Sequence, residues 1–255
     1  MSDLPPFSFT SGDAGQPGAV LPLSGRRHIL QTLTPLYVLV RAAAPDQAQA
    51  RCQVLCERLA GAAAGMAATH ATSVTNAMVV YLSPFDACID AAWNALAAER
   101  YEVLAASAFR PDELLTQYRE QLPYCLHVAW CAHDGRLLVR PDGGLLRLSL
   151  ARSARVSALI DAIHLAIEMP VLESCQQLWE QAGLFAHEES HAQVLACHAA
   201  ERHRQALRAI ERIPGTATPD HPVNQLALYD VESAHWHFVA LPRFADILRQ
   251  RHPDR

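Results

Sequence analysis

Short apolar runs alternate with helix-like segments in the first part of the chain. The apolar runs are rich in strand-forming residues and cover 36–40, 77–82 and 101–106. Between them the pattern predicts a helix over 45–64, and a second helix starts at Ser83, a capping residue that Pro84 and Asp86 follow. A third helix is predicted to open at Pro111. Strands that alternate with helices indicate βαβ units with parallel pairing and right-handed crossovers.

The middle of the chain reads as an antiparallel meander. Residues 124–133 alternate, Asp134-Gly135 is typical of a tight hairpin turn, and 136–140 return. A second turn at 142–144 then leads into a strand over 145–150. This segment therefore predicts three consecutive antiparallel strands.

Beyond residue 153 the apolar period becomes helical and continues to residue 213. The predicted buried stripe before Pro170 comprises Val156, Leu159, Ile160, Ile163 and Ile167. A long helix is predicted over about 186–212, followed by strands over 225–229 and 235–241 and a final helix over 243–250. The whole pattern predicts a mixed α/β fold, with residues 1–28 as a flexible tail and 29–255 as one globular domain.

Composition excludes several classes of protein. Hydrophobic residues make up 51% of the 255 residues, so the chain has material for a core, and its net charge of −5 without a basic block argues against nucleic-acid or anionic-membrane binding. All 21 basic residues are arginine. The absence of lysine excludes the P-loop lysine, Schiff-base lysines and the protein-kinase lysine.

The compartment is predicted from what the sequence lacks. Residues 1–23 do not have the charged and apolar regions of a secretory signal, and no apolar run is long enough for a membrane span. Seven cysteines, an odd number, are typical of reduced thiols. A bacterial cytoplasmic protein is the expectation, and its 13 histidines make a response to acid physically possible.

The sharpest chemical pattern is a His-Glu-x-x-His at 187–191. On a helix His187 and His191 share a face and suit Zn²⁺, while Glu188 would activate a bound water. A third ligand would have to come from elsewhere: the candidates are Glu168, His164 or Asp161 on the preceding predicted helix, or Glu211 downstream. No further ligand follows at the spacing of related zinc helices, since position 194 is Val and position 197 is Cys.

A helical wheel over 186–212 favours a simpler interpretation of the same histidines. It places Leu195, Ala199 and Leu207 toward the core and turns His187 and His191, together with His198, toward solvent. On this view the histidines form a surface stripe without a completing ligand.

Three other groups of residues attract attention. Alternation places Cys125, His127, Cys131 and His133 on one side of a strand, with Leu126, Val128 and Trp130 on the core side. Hairpin pairing adds Arg136 and Arg140 to the cysteine side, which argues against a cation site there. The remaining groups are His235 with His237 on a strand, and Asp161, His164 and Glu168 on a predicted helix edge.

Three functions follow from these patterns, and no motif indicates a family. The sequence has neither a Gly-x-Ser-x-Gly elbow nor a Gly-x-Gly-x-x-Gly loop, so it favours a non-catalytic soluble accessory, adaptor or regulatory protein that acts by contact with another protein. One alternative is a zinc-dependent hydrolase built on Glu188, His187 and His191. The other is a histidine-based sensor of pH or of a small molecule. No cofactor is expected, with zinc as the possible exception.

Overall fold

The computed structural model describes residues 28–41, 53–59, 75–115, 118, 121–156, 162–242 and 244. Its helices are α1 (Pro84–Leu96), α2 (Asp112–Leu115), α3 (Met169–Gln181), α4 (His187–Ala196) and α5 (Ala199–Glu211). Its strands are β1 (Ile29–Thr32), β2 (Tyr37–Arg41), β3 (Cys56–Leu59), β4 (Thr75–Tyr81), β5 (Tyr101–Ala105), β6 (Gln121–His133), β7 (Arg136–Leu138), β8 (Arg147–Arg155), β9 (Ala162–Leu165), β10 (Thr216–Ala217), β11 (Gln225–Asp230) and β12 (His235–Ala240). The predicted mixed α/β class is confirmed.

Ten of these strands form one mixed sheet around the long strand β6. β6 pairs parallel with β4 and antiparallel with β7, β8 and β11. β2 is antiparallel to both β4 and β5, and β1 pairs with β9 in a separate two-stranded sheet. The predicted parallel pairing of the first three apolar runs is therefore wrong, since β2 lies antiparallel to β4 and to β5. The parallel neighbour of β4 is β6, from the middle of the chain.

The predicted helix over 45–64 is wrong where the structure describes it. Residues 56–59 form β3, which pairs antiparallel with β4, and Val54 bridges Val40. Glu57 and Leu59 are buried while Cys56 and Arg58 are half-buried, which is strand periodicity. Tertiary pairing has overridden the helical preference of an alanine-rich segment. The rest of that predicted helix lies outside the described residues.

The predicted start of α1 is confirmed. Ser83 has extended backbone, and its hydroxyl accepts a hydrogen bond of 3.1 Å from the amide of Asp86. Pro84 occupies the first turn, where its missing N–H leaves no bond unmade. The helix predicted at Pro111 is present as the single turn α2.

The hairpin of the predicted meander is confirmed, and Val139 bridges Leu145 after the second turn. The third strand is paired differently from a meander, because β8 pairs antiparallel with β6 and not with β7. Asp134 and Gly135 turn the chain with φ of 46° and 72°. In the pairing of β6 with β8, however, the register shifts between His127 and Ala129, so that Val128 is an extra, bulged residue. A bulge reverses which residues face each side beyond it.

The predicted helical stripe before Pro170 is wrong where the structure describes it, while Leu159 and Ile160 lie outside the described residues. Residues 147–155 and 162–165 are strands, and Ile163 and Leu165 are buried while His164 between them is exposed. Alternation over so short a segment also satisfies part of a helical spacing, which explains the misassignment.

The predicted long helix over 186–212 is two helices. Cys197 and His198 have extended backbone, with ψ of 149° and 151°, and they separate α4 from α5. The two helices are therefore free to present unrelated faces to the core.

Helices cover both faces of the sheet. One apolar cluster joins Leu126, Cys131 and Leu138 to Val171 and Leu178 on the α3 side. The other joins Trp130, Ala132 and Leu137 to residues of α1, α4 and α5, namely Phe85, Ile89, Val194, Ala206 and Ala209. The predicted strands at 225–229 and 235–241 are confirmed as β11 and β12.

The described cysteines are Cys56, Cys88, Cys125, Cys131, Cys175 and Cys197, and all are free thiols. Among the described helices, none is long and apolar enough to cross a membrane. The predicted tail and the predicted C-terminal helix lie almost entirely outside the described residues.

Candidate functional site

A pocket of about 180 Å³ lies where the start of α4 meets the start of α1 and the turn between β11 and β12. It is lined by Ser83, Gly183, Leu184, Phe185, Ala186, His187, Ser190, His191, Tyr229, Asp230, Val231 and Glu232. The two histidines of the zinc-like motif are therefore brought together in a concave site. Ser83, Tyr229 and Asp230 come from segments that no sequence motif connects with them.

The histidines of α4 face inward, which corrects the prediction of a solvent-facing stripe. His187 is buried, with 9% of its surface exposed, and Ser190, His191 and Val194 are half-buried or buried. These positions have the i, i+3, i+4, i+7 spacing of a buried helix face. The wheel was wrong because it treated α4 and α5 as one helix. Leu195, predicted to be in the core, is 47% exposed.

Trp179 holds the two imidazoles against the end of α3. Its ring centroid lies 4.3 Å from that of His187 and 5.7 Å from that of His191. The two histidine rings are 5.9 Å apart in an edge-to-face arrangement. This aromatic packing fixes both rings at the pocket.

A hydrogen bond sets the tautomer of His187. Its Nδ1 lies 3.2 Å from the carbonyl oxygen of Leu184, an acceptor, so that Nδ1 carries the proton and donates. In the neutral ring Nε2 is then the bare acceptor nitrogen. Within the described part of the chain, the hydrogen bond of the His187 ring is made by Nδ1, and none involves Nε2.

The surroundings of His191 lower its pKa and so oppose its protonation. Burial lowers its pKa below the ordinary histidine value, and the carboxylate of Asp86 opposes this shift. His187 lowers the pKa further and Glu188 raises it. His191 is consequently held neutral at pH 7.

Two acidic residues, Asp230 and Glu232, line the same pocket. Asp230 ends β11; its Oδ1 accepts from the amide of Glu232 at 2.9 Å, and its Oδ2 lies 3.8 Å from Nε2 of His237. The predicted pair of His235 and His237 is thus divided, since His235 Nδ1 instead lies 2.6 Å from the carbonyl oxygen of Ser233. Tyr229 stacks on Phe85 of α1 at 5.6 Å.

The predicted third zinc ligands do not lie near the histidine pair. Glu168 precedes α3, whose rise places it roughly 16 Å along the helix axis from Trp179. Glu168 instead forms an ion pair of 3.6 Å with Arg152, and His164 is exposed in β9. Across the described ranges, no three His, Cys, Asp or Glu side chains are grouped so that they could hold a metal ion. Asp161, the other member of that predicted edge, lies outside the described residues.

The predicted faces of β6 are wrong beyond the bulge. His127 contacts Trp130 with ring centroids 4.8 Å apart, so these two residues share a face. Cys131 belongs to the opposite cluster. His133 stacks on His221 at 4.9 Å near the hairpin turn. The four cysteines and histidines therefore do not form one group.

Sequence reasoning missed a buried charge network on the α1 side of the sheet. Nε of Arg147 in β8 donates to Asp90 of α1 at 3.0 Å, and its Nη1 donates to Glu57 of β3 at 3.3 Å. Tyr81 also donates to Asp90, and Ser149 donates to Glu57 at 3.2 Å. All five side chains are at most 5% exposed. The available signal was a charged residue inside an apolar run, both at Asp90 and at Arg147.

The network keeps Arg147 charged. Burial opposes its positive charge, but Asp90 is the first of the neighbours that outweigh burial and raise its pKa well above the ordinary arginine value. Burial and the Asp90 carboxylate likewise raise the pKa of Tyr81, which remains a neutral donor. Arg140 adds a second cation 3.8 Å from Glu57.

His127 and Asp86 connect this network with the pocket. Nε2 of His127 lies 3.6 Å from Oδ2 of Asp86, and its ring packs 5.2 Å from that of Tyr81. Asp86, in the first turn of α1, also acts electrostatically on His191. One carboxylate therefore stands between a core histidine and a pocket histidine.

No protein-family model, curated protein or solved structure matches this chain significantly.

Proposed function

We propose that this protein is a non-catalytic, acid-responsive accessory protein that binds a small molecule in the pocket of His187 and His191. The main support is the composition of the pocket. Two imidazoles, both packed against Trp179, line it together with residues that bear hydroxyl and carboxylate groups. Convergent polar groups on an otherwise apolar concave surface are typical of ligand sites.

The arrangement supports binding more than catalysis. Among the described residues, no serine hydroxyl or cysteine thiol is hydrogen-bonded to a histidine, so no nucleophile and base are paired. Ser83 uses its hydroxyl to cap α1. Glu188, the predicted general base, is exposed and does not line the pocket.

Acid response is proposed from the groups around His191. Asp86 of α1 faces it, His187 and Glu188 share its helix, and Trp179 of α3 packs on it. Asp230 and Glu232 line the same pocket. Protonation of His191 would place a positive charge in this half-buried space and thereby change what the pocket binds.

The remaining sequence-based expectations belong to the same proposal. A protein partner and a cytoplasmic location are part of the proposal as expectations from the sequence. The net charge of −5 without a basic block argues against nucleic-acid binding. Phe185, 77% exposed beside the pocket, offers an apolar contact for such a partner.

The experiment compares small molecules retained by the wild-type protein and by Ser190→Phe, which fills the pocket. Both proteins are equilibrated with the small-molecule fraction of a bacterial extract, and the retained compounds are measured by mass spectrometry. Gln193→Phe is the matched control, because Gln193 lies on the same helix, is exposed and does not line the pocket.

We expect one or more compounds to be retained by the wild type and by Gln193→Phe and lost in Ser190→Phe. Equal retention by all three proteins, or by none, would contradict a ligand role for this pocket.

A further inference from the structure

Resting on the proposed pocket, we infer that its ligand is a small organic cation, an ammonium group on a compact apolar body. Three independent features of the pocket lead to this class: the tautomer of His187, the charges of the lining and the volume.

The tautomer of His187 requires a donor from the ligand. Its Nδ1–H is used by the carbonyl of Leu184, so the ring offers only the lone pair of Nε2. His187 is only 9% exposed and lines the pocket. An ammonium N–H satisfies this nitrogen, whereas a carboxylate or phosphate presents a second acceptor to it.

The charged side chains of the lining are both acidic. Asp230 and Glu232 line the pocket, and no arginine does. The N-terminus of α4 carries a partial positive charge of roughly half a unit, which would favour an anion. Glu188 and Glu189, in the first turn of that helix, oppose it. The full negative charges of the carboxylates therefore outweigh the partial positive charge of the helix end, and the pocket favours a cationic ligand.

The volume limits the size of the guest. A cavity of roughly 150 Å³ holds a benzene ring, so the pocket of about 180 Å³ suits a molecule of about six to ten non-hydrogen atoms. Leu184, Phe185 and Val231 supply an apolar wall for its body. Nucleotides and drug-sized ligands are too large for this space.

The test uses three probes of one shape and different charge: benzylamine, which is a cation at neutral pH, neutral benzyl alcohol and anionic benzoate. Binding is measured by calorimetry and by the shifts of the His187 and His191 ring protons in NMR. Variants are Asp230→Asn and, as a matched control with an exposed carboxylate of β5 outside the pocket, Glu102→Gln. A separate titration uses Zn²⁺ alone.

We expect benzylamine to bind with a Kd of about 10 mM or tighter, and at least about tenfold tighter than benzyl alcohol, with no binding of benzoate. Asp230→Asn should weaken benzylamine binding about tenfold, and Glu102→Gln should leave it unchanged. Weaker binding at about pH 5 than at about pH 8 would follow from repulsion by protonated histidine.

Different failures reject different statements. If benzyl alcohol or benzoate binds as well as benzylamine and moves the same ring protons, the cation class is wrong while the pocket remains a ligand site. If no probe shifts those protons, the cation inference is wrong. Whether the pocket binds any ligand is then decided by the compounds retained by the wild type and by Ser190→Phe. Stoichiometric Zn²⁺ binding that His187→Ala abolishes would overturn the organic cation in favour of a metal.

Discussion

Two polar regions contact α1, the pocket at its start and the charge network at its middle, and their polar groups are satisfied in different ways. The network of Arg147, Asp90 and Glu57 is fully buried, and each charge has an opposite charge within hydrogen-bonding distance. In the pocket, His187 and His191 are held by ring packing, and one ring nitrogen of His187 has no partner in the described structure. The contrast separates polar groups that build the fold from polar groups that remain free to bind.

The difference follows from the free energy that each region loses when a polar group has no protein partner. A buried charge without its partner is strongly unfavourable, so the network must be complete for α1 and β3 to stay on the sheet. A neutral imidazole at a pocket can exchange water for a ligand at little loss. The fully paired charges of the network therefore indicate a structural role. The unpaired Nε2 of His187 indicates a binding role.

The largest expected effect comes from breaking the network. Arg147→Met leaves Asp90 and Glu57 buried without their shared cation, and should lower the free energy of unfolding by about 3–5 kcal/mol. Urea unfolding of the variant measures this loss.

Arg41→Met is the matched control. Arg41 forms an ion pair of 2.7 Å with Glu99, but both side chains are more than 40% exposed, so its loss should amount to less than about 1 kcal/mol. Equal losses of unfolding free energy in the two variants would show that burial does not increase the contribution of an ion pair in this protein.

A smaller effect is expected at Ser83, whose hydroxyl caps α1 beside the pocket. Ser83→Ala removes the cap of α1 and should lower the free energy of unfolding by about 1 kcal/mol. Ser190→Ala removes a pocket hydroxyl that caps no helix, and should change stability by less than about 0.5 kcal/mol. Thermal unfolding of both variants tests the distinction, and an unchanged Ser83→Ala would remove the capping argument.

The smallest effect is a pH dependence that originates in the pocket. Burial lowers the pKa of His191 in the folded protein, so the unfolded chain binds more protons once the pH falls below the ordinary histidine value. Stability should fall on acidification from about pH 7 and level off below the lowered pKa, with a slope of at most about 1.4 kcal/mol per pH unit from this residue.

His191→Gln should flatten that profile in urea unfolding measured between about pH 5 and 8. His203→Gln, on the exposed side of α5, is the control and should keep the wild-type profile. If both variants behave like the wild type, His191 is not the acid-sensitive group.

Local patterns predicted those parts of the fold that local chemistry decides. The cap at Ser83, the turn at Asp134-Gly135 and the two late strands needed only neighbouring residues, and all three are confirmed. The segments at 56–59 and 162–165 were misassigned as helix, because pairing with distant strands decides their conformation. The pairing of His187 with His191 was foreseeable from their spacing, but the direction in which they face was not.

By itself, the sequence determined the mixed α/β class, the lysine-free acidic composition and the presence of two histidines one helical turn apart. Only the tertiary structure decided that the chain breaks at Cys197 and His198, that β6 bulges at Val128, and that Asp230 lines the same pocket as the histidines. The physical reason is that spacing along one element fixes which residues share a face. Which way that face points depends on packing and hydrogen bonds between segments far apart in the chain.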